Sequence, residues 1–279
     1  MKLSIAIADT KALASAFVVF RGFEKFIPKA AQLGYDGVEL ALKRVDEINE
    51  AKLATLLSEN SIEVSCISTG QVYADSGLRL THPKKASRDE VISIFKEFID
   101  LAETYGKLVN IGRVRGAIGD RNRGDVEDLF IEVITELCEY ADPKGVTLIL
   151  EPVNRYECDF INTVEEGVAL LNKVQASNLK LLPDVFHMNI EEDKIGKSII
   201  QNIDHIKYLH FADSNRLAPG QGHTDFKEIF DSIQSSGYDG WISLEILPRP
   251  NPEVAAKQAI DFLLPLMKQY EAYNLTHGK

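Results

Sequence analysis

Short apolar segments recur eight times along this 279-residue chain, and longer segments with helical spacing separate them. Short apolar runs between amphipathic helices are typical of parallel strands that are covered on both faces. Eight such strand–helix units favour a closed barrel over an open sheet, so we predict an α/β fold, a single (β/α)₈ barrel. The predicted strands are Leu3–Ile7, Gly37–Leu40, Val64–Ser68, Leu108–Ile111, Thr147–Leu150, Leu179–Leu182, Tyr208–Phe211 and Trp241–Leu244.

The length of the chain fits one barrel domain, since a (β/α)₈ barrel typically takes about 250 residues. We find no linker, low-complexity tract or second domain in the sequence. We therefore predict one domain over residues 1–279, with residues 270–279 as a loosely ordered tail. Two of the helical segments are especially clear, with apolar side chains spaced i, i+3, i+4 and i+7. These side chains are Val91, Ile94, Phe95, Phe98 and Ala102 in one segment and Phe130, Val133, Ile134 and Leu137 in the other.

Composition narrows the choice of partners and location. Lys and Arg total 31 against 42 Asp and Glu, and the formal net charge of -11 opposes binding to nucleic acid. No apolar run approaches the roughly 18 residues that span a bilayer, so we expect no membrane partner. The first apolar run is broken at Asp9, too early for a signal peptide, and we expect a cytoplasmic protein. The three cysteines lack CxxC spacing and are predicted to be buried thiols.

Four polar residues stand at or just beyond the last four predicted strands. Glu151 follows the fifth strand, Asp184 the sixth and Glu245 the eighth, while His210 lies in the seventh. Because the carboxyl ends of barrel strands meet at one mouth, we expect these side chains to lie together. Three carboxylates and one imidazole suit one divalent metal ion, with Mn²⁺ preferred and Mg²⁺ or Co²⁺ as alternatives. Each residue alone has an ordinary explanation, such as helix capping by Asp184, but the set of four favours a metal site.

Five segments of the chain resemble the ketose 3-epimerases. This group contains D-tagatose 3-epimerase and D-allulose (psicose) 3-epimerase and lies within the xylose isomerase-like TIM barrel superfamily. The resemblance covers nearly the whole chain and implies a metal-dependent isomerase that acts on a small sugar. The segments that carry it are Glu151–Glu157, Asp184–Asn189, His210–Arg216, Gly220–Gly222 and Ser243–Glu245.

The resemblance assigns the chemistry to the strand-end residues. Glu151, Asp184, His210 and Glu245 match the family's metal ligands, and Glu151 and Glu245 are also its catalytic carboxylates. A dication that binds the C2 and C3 oxygens of a ketose would stabilise the enediolate formed when the C3 hydrogen leaves. One carboxylate can remove this proton and the other can return one to the opposite face, which inverts C3.

The resemblance also implies a substrate-binding set. Glu157, His187 and Arg216 match residues that hold the O1 and O2 end of the ketose. Cys66, which we place at the end of the third predicted strand, falls where the epimerases line the substrate pocket. Packing of His187 and a surface ion pair at Arg216 are the structural alternatives, but both residues lie in loops at the predicted catalytic face.

One segment departs from the pattern of neutral-sugar epimerases. The fourth predicted strand is followed by Arg113 and Arg115, whose guanidinium groups would suit a carboxylate or phosphate on the substrate. An epimerase of a keto-sugar acid, of the 5-ketogluconate or tagaturonate type, is therefore an alternative. Equally, both arginines could lie in a solvated loop together with Arg121 and Arg123.

Other functions remain open within the same superfamily. Hydroxypyruvate isomerase and inosose dehydratase are close rivals, because they use the same rim of the barrel. An endonuclease IV type of DNA repair enzyme is less favoured, since it uses three zinc ions and this chain has Gly112 and Ser68-Thr69-Gly70 where further histidines would be needed. A non-catalytic sugar-binding barrel is also less favoured.

The last predicted helix carries more apolar residues than one buried stripe requires. This excess leaves a homo-oligomer, a dimer or tetramer, open as a further expectation. The residues concerned are Phe262, Leu263, Leu264, Leu266 and Met267.

Overall fold

The computed structural model describes the backbone of residues 1–277 and the side chains of residues 1–269. One parallel sheet contains the eight predicted strands and one additional short strand. Their observed bounds differ from the predicted ones by one residue at most. The strands are β1 Lys2–Ala8, β2 Phe20–Arg21, β3 Gly37–Ala41, β4 Glu63–Ser68, β5 Leu108–Ile111, β6 Thr147–Leu150, β7 Leu179–Leu181, β8 Tyr208–Phe211 and β9 Trp241–Leu244.

The sheet closes into a barrel. Hydrogen bonds connect the strands in the order β7-β6-β5-β4-β3-β1-β9-β8. The two ends of this order meet through isolated parallel bridges, Leu181 with Ile206 and Asp184 with His210. The His210 N–H donates to the Pro183 carbonyl at 3.0 Å as part of this closure. The fold is therefore the predicted single (β/α)₈ TIM barrel, and its closing contact joins two of the predicted metal ligands.

Helices connect successive strands and cover the outside of the barrel. Every apolar residue of the two helical patterns identified in the sequence is buried, in α4 and α5. These helices bury their apolar stripes because the strands beneath them present apolar side chains to both faces. The helices are α1 Phe23–Leu33, α2 Glu50–Asn60, α3 Gly70–Ser76, α4 Lys85–Thr104, α5 Arg123–Ala141, α6 Val164–Val174, α7 Val185–Glu191, α8 Ile195–Gln201, α9 Phe226–Ser236 and α10 Pro252–His277.

The short strand β2 was not predicted. Its two residues pair with the end of β1, Ile7 opposite Phe20 and Ala8 opposite Arg21. Phe20 is buried and its ring stacks on that of Phe26 at 4.6 Å between centroids. The pairing returns the loop over residues 9–19 to the barrel, so this loop lies over the mouth. A strand of two residues has no periodicity from which a sequence pattern could identify it.

The apolar excess on the last helix is partly explained by packing within the chain. Leu263 and Met267 are buried in the core, and Phe262 contacts the ring of Phe226 at 5.7 Å between centroids. The expected tail falls largely outside the described residues, because no side chain from Tyr270 onward and nothing of residues 278–279 is described; the α10 backbone runs to His277. Within the described part of the chain, no helix combines the length and apolar character needed to cross a membrane.

Candidate metal centre and substrate pocket

Four neighbouring strands bring the predicted metal ligands together at the barrel mouth. Glu151 follows β6, and Asp184 is the N-cap of α7 after β7. His210 lies in β8, and Glu245 follows β9. One potential ligand atom from each residue lies within 4.8 Å of those from the others. Asp184 also serves as the helix cap considered in the sequence analysis, since its Oδ1 accepts the Phe186 N–H at 2.8 Å. Its second oxygen, Oδ2, remains for the cluster.

The donor atoms of this cluster fit a divalent cation. Among the described residues, the buried His210 Nδ1 has no hydrogen-bond partner, and it lies 3.4 Å from Glu151 Oε1 and 3.9 Å from Glu245 Oε2. On the other side of the ring, Nε2 lies 2.9 Å from Glu39 Oε2. A buried nitrogen without a hydrogen bond that faces carboxylate oxygens is the arrangement a metal ligand requires. One nitrogen and three carboxylates suit Mn²⁺, Mg²⁺ or Co²⁺.

Opposite charges hold the cluster together. Burial favours the neutral form of Glu151, but His210, His187 and Arg216 outweigh it and lower the pKa of Glu151 to about 2. Burial likewise disfavours the charged imidazole of His210, but Glu39 and Glu151 outweigh it and raise its pKa to about 10. The carboxylates therefore stay ionised, and a cation bound at His210 Nδ1 would take the place of the proton on that nitrogen.

His187 faces the same cavity and is held by a residue that the sequence analysis did not select. Asn154 Nδ2 donates to His187 Nδ1 at 2.7 Å, and Asn154 Oδ1 accepts the Tyr156 N–H at 3.0 Å. The second bond fixes the orientation of the amide, so His187 Nε2 is left to face the cluster, 3.9 Å from Glu151 Oε1 and 3.8 Å from Asp184 Oδ2. Burial lowers the pKa of His187, which favours the neutral ring.

Arg216 is the cation nearest to the cluster. Its guanidinium donates to Asp184 Oδ2 and Glu245 Oε2. The group lies between the rings of Phe17 and Phe186, 4.9 and 4.7 Å from their centroids. Cation–π contacts on both faces restrict its rotation, so Arg216 presents its donors toward the cluster.

The Gly220–Gly222 segment lies in the same loop as Arg216 and helps to fix the conformation of that loop. Arg216 has a positive φ of 62°, an uncommon conformation for a non-glycine residue. Asp213 organises the loop by accepting the N–H groups of Ser214, Gly220 and Thr224. A Cβ at Gly222 would lie 2.3 Å from Asp213 Oδ1, so only glycine leaves room for this carboxylate.

Arg113 and Glu157 also line the cavity. Arg113 Nη1 lies 3.5 Å from Glu157 Oε2, and the guanidinium carbon lies 5.7 Å from the centroid of the Tyr73 ring. Glu157 Oε1 in turn accepts a 3.3 Å hydrogen bond from the Asn154 amide. Both side chains are accessible from the cavity.

Arg115 does not belong to the pocket, contrary to the sequence-based expectation. Its side chain is fully buried, and its three nitrogens donate to the carbonyls of Phe160, Ile161, Gly112 and Glu151 at 2.8 to 3.0 Å. Each guanidinium nitrogen is therefore engaged by a backbone carbonyl inside the protein. Arg115 instead ties the β5 loop to the chain that follows β6.

The prediction that Cys66 lines the pocket is also wrong. Its side chain is fully buried and packs inside the barrel with Leu108, Ile149, Leu182 and Tyr208. Strand β4 continues two residues further, and Ser68, on the same face, lines the cavity instead. Burial raises the pKa of the Cys66 thiol, which makes it a poor nucleophile. All three cysteines are free and buried, as expected.

Glu39 and Asn110 complete the site and were missed. Both are buried in barrel strands, and Asn110 Nδ2 lies 3.4 Å from Glu151 Oε2. Each is a polar residue within an apolar strand, and this signal could have identified both, since a buried charge or amide requires a partner.

Comparison with known proteins agrees with this geometry. The model of the xylose isomerase-like TIM barrel family matches residues 27–266. The chain belongs to this family. An L-ribulose 3-epimerase from Methylomonas sp. is 31% identical over 231 residues, which cover 80% of this chain and 78% of that protein. A D-psicose 3-epimerase from Agrobacterium fabrum is 30% identical over 240 residues, with coverage of 80% and 78%.

A solved structure extends the similarity to three dimensions. The crystal structure of a D-allulose 3-epimerase from Methylomonas sp. in complex with D-allulose has a TM-score of 0.81 and 26% identity. The superposition covers 95% of this chain and 98% of that one. Together these relatives place the chain in the ketose 3-epimerase group of the xylose isomerase-like family, a group of isomerases.

Replacement of Arg115 should destabilise this xylose isomerase-like barrel. Arg115→Met removes all four side-chain bonds to carbonyls and leaves buried acceptors unpaired, at a cost of about 3 to 5 kcal/mol. Urea unfolding followed by circular dichroism measures the change. Arg123→Met is the matched control, because Arg123 is half exposed and pairs with Glu166 at the surface. Equal urea midpoints for the two variants would contradict the structural role.

A methyl group at Gly112 should disturb the cluster without disturbing the fold. A Cβ there would lie 2.8 Å from Glu151 Oε2, and the end of that side chain would have to move. We expect Gly112→Ala to weaken Mn²⁺ binding at least tenfold, measured by titration calorimetry, at a nearly unchanged urea midpoint. Gly70→Ala is the control, since a Cβ at Gly70 meets nothing within 4 Å. Equal Mn²⁺ affinity in both variants would rule out this steric effect.

Proposed function

We propose that this protein is a metal-dependent ketose 3-epimerase that inverts C3 through a cis-enediolate, with Glu151 and Glu245 as the acid/base pair. The observation that carries the proposal is the convergence of four ligand atoms within 4.8 Å, with a glutamate on each side of His210 Nδ1. Membership of the ketose 3-epimerase group supports the same reaction. The oxygen-rich donor set favours Mn²⁺ among the divalent ions considered.

The residues of the site have different roles in the proposed epimerisation. A bound dication supplies positive charge that stabilises the enediolate and makes the C3 proton easier to remove. Glu151 accepts or returns a proton at one oxygen, and Glu245 does so from the end of β9, on the other side of the β7–β8 pair. The low pKa of Glu151 keeps this carboxylate ionised, which is the form that binds a cation. Asp184 and His210 would only hold the ion, whereas Glu151 and Glu245 would both bind it and transfer protons.

Three further residues are suited to orient the sugar. Glu157, His187 and Arg216 line the cavity beside the cluster. His187 and Arg216 offer donors to sugar oxygens, while Glu157 accepts from a hydroxyl group. Their fixed orientations, through Asn154 and the two phenyl rings, reduce the entropy lost when substrate binds.

The direct test is exchange and inversion at C3. Purified protein with Mn²⁺ should interconvert a ketose and its C3 epimer in D₂O, with deuterium entering at C3, and EDTA should abolish the reaction until Mn²⁺ is restored. Glu245→Gln should lower kcat by about 10² to 10⁴-fold, since it removes one acid/base group. Glu165→Gln, an exposed change on α6, is the control.

Two results would argue against epimerisation. Full activity of Glu245→Gln would remove Glu245 from the acid/base pair. Deuterium exchange without formation of the epimer would point instead to an isomerase or dehydratase of the hydroxypyruvate or inosose type. For an endonuclease IV type of enzyme, the described residues offer a single metal-binding group that contains only one histidine.

Arg113 favours a second candidate, an epimerase of a keto-sugar acid. It faces the cavity, and apart from its contact with Glu157 no hydrogen bond of its guanidinium occurs within the described residues. A charged hydrogen bond contributes about 1.5 to 3 kcal/mol. If the substrate is an acid such as a 5-ketogluconate or tagaturonate, Arg113→Met should lower kcat/KM for it by about 10 to 100-fold and leave neutral ketoses nearly unaffected.

Steady-state kinetics on keto-sugar acids and neutral ketoses measures this difference, and Arg123→Met provides the control in the same part of the chain. An equal loss for acid and neutral substrates would show that Arg113 does not recognise an anionic group.

A further inference from the structure

Glu39 is a charged residue fully enclosed in the barrel, where no part of the proposed reaction requires it. Its side chain is 0% exposed in β3. Its oxygens lie 2.9 and 3.1 Å from His210 Nε2, and Oε2 also accepts the Tyr208 hydroxyl at 3.0 Å. The carboxylate therefore contacts the far side of a metal-ligand candidate and does not belong to the group of ligand atoms itself.

A chain of hydroxyl groups holds Glu39 in place. The Tyr208 hydroxyl, which donates to Glu39, lies 2.7 Å from the Ser65 hydroxyl, and Ser65 lies 2.6 Å from the Ser4 hydroxyl. The register of β3 against β4 shifts between Val38 and Glu39. Every member of this network is buried. Hydrogen bonds therefore link Ser4, Ser65 and Tyr208 inside the barrel, through Glu39, to His210.

The two nitrogens of His210 have different surroundings. Nε2 is close to a carboxylate on one side, while Nδ1 makes no hydrogen bond and faces Glu151 and Glu245 on the other. A proton on Nε2 satisfies Glu39 and leaves the lone pair of Nδ1 directed at the cluster. A proton on Nδ1 would leave Nε2 as an acceptor against a carboxylate, which is repulsive.

We propose that Glu39 is a positioning residue that selects the Nε2–H form of His210 and so presents Nδ1 to the divalent ion. The inference rests on the proposed function, because it assumes that the cluster binds a metal. Carboxylates that accept the second N–H of a metal-bound histidine fix the ring and increase its strength as a ligand. Tyr208, Ser65 and Ser4 keep the carboxylate of Glu39 in register for this role.

The test measures metal affinity apart from activity. EDTA-treated wild type and Glu39→Gln are titrated with Mn²⁺ by calorimetry and with Co²⁺ by visible absorption, and their urea midpoints are compared without metal. We expect Glu39→Gln to bind Mn²⁺ about 10 to 100-fold more weakly and to alter the Co²⁺ spectrum. Glu63→Gln is the matched control, since Glu63 lies at the exposed start of β4 and pairs with Lys2 at the surface.

Three outcomes separate the possibilities. Equal Mn²⁺ affinity in folded wild type and Glu39→Gln would overturn the positioning role, even if the variant unfolds at lower urea concentration. Absence of Mn²⁺ binding by the wild type would instead overturn the metal site, and the proposed function with it. If Glu39→Gln does not fold, the Tyr208→Phe variant replaces it, because this change removes one donor to Glu39. We expect Tyr208→Phe to bind Mn²⁺ about threefold more weakly, and unchanged Mn²⁺ binding would refute the inference.

Discussion

The crowding of like charges at the barrel mouth is the constraint on which the rest of the site depends. Closure between β7 and β8 pairs Asp184 with His210, and Glu151 and Glu245 approach from the strands on either side. Repulsion among carboxylates increases as they leave water, so the mouth requires compensating positive charge. Arg216 and the His210 imidazole provide part of it, and a dication would complete it. The same closure that forms the fold therefore forms the candidate cation site.

The arginines show how the fold separates support from recognition. The guanidinium groups of Arg115 and Arg121 donate to backbone carbonyls, and that of Arg115 connects the loop after β5 to the segment after β6. Arg216 and Arg113 instead contact charged groups at the cavity. In the sequence, Arg113 and Arg115 are two residues apart and have the same chemistry. The 3-10 turn over Arg113–Arg115 places the Arg115 side chain in the protein interior and directs the Arg113 side chain toward the cavity.

Sequence reasoning succeeded where position along a strand determines position in space. The strand ends could be located from the apolar runs, and barrel geometry then placed Glu151, Asp184, His210 and Glu245 at one mouth. It failed where depth or loop conformation matters. Cys66 was assigned to the mouth although β4 continues to Ser68, and β2 is too short to produce a pattern. The partners that orient His187 and His210 lie far from them in sequence, so no local motif could reveal them.

The two halves of the barrel contribute different things to the cavity. The acid/base and metal-binding candidates all lie at the ends of β6 to β9. The other wall of the cavity is formed by the segments that follow β1, β4 and β5. Phe17, Gln71, Ala74 and Arg113 belong to that wall. A change in this wall would alter the shape of the cavity, and a change at Phe17 would also affect Arg216. Membership in the family therefore constrains the reaction more strongly than the substrate, and under the proposed function Arg113 is the residue whose charge would favour an acidic sugar.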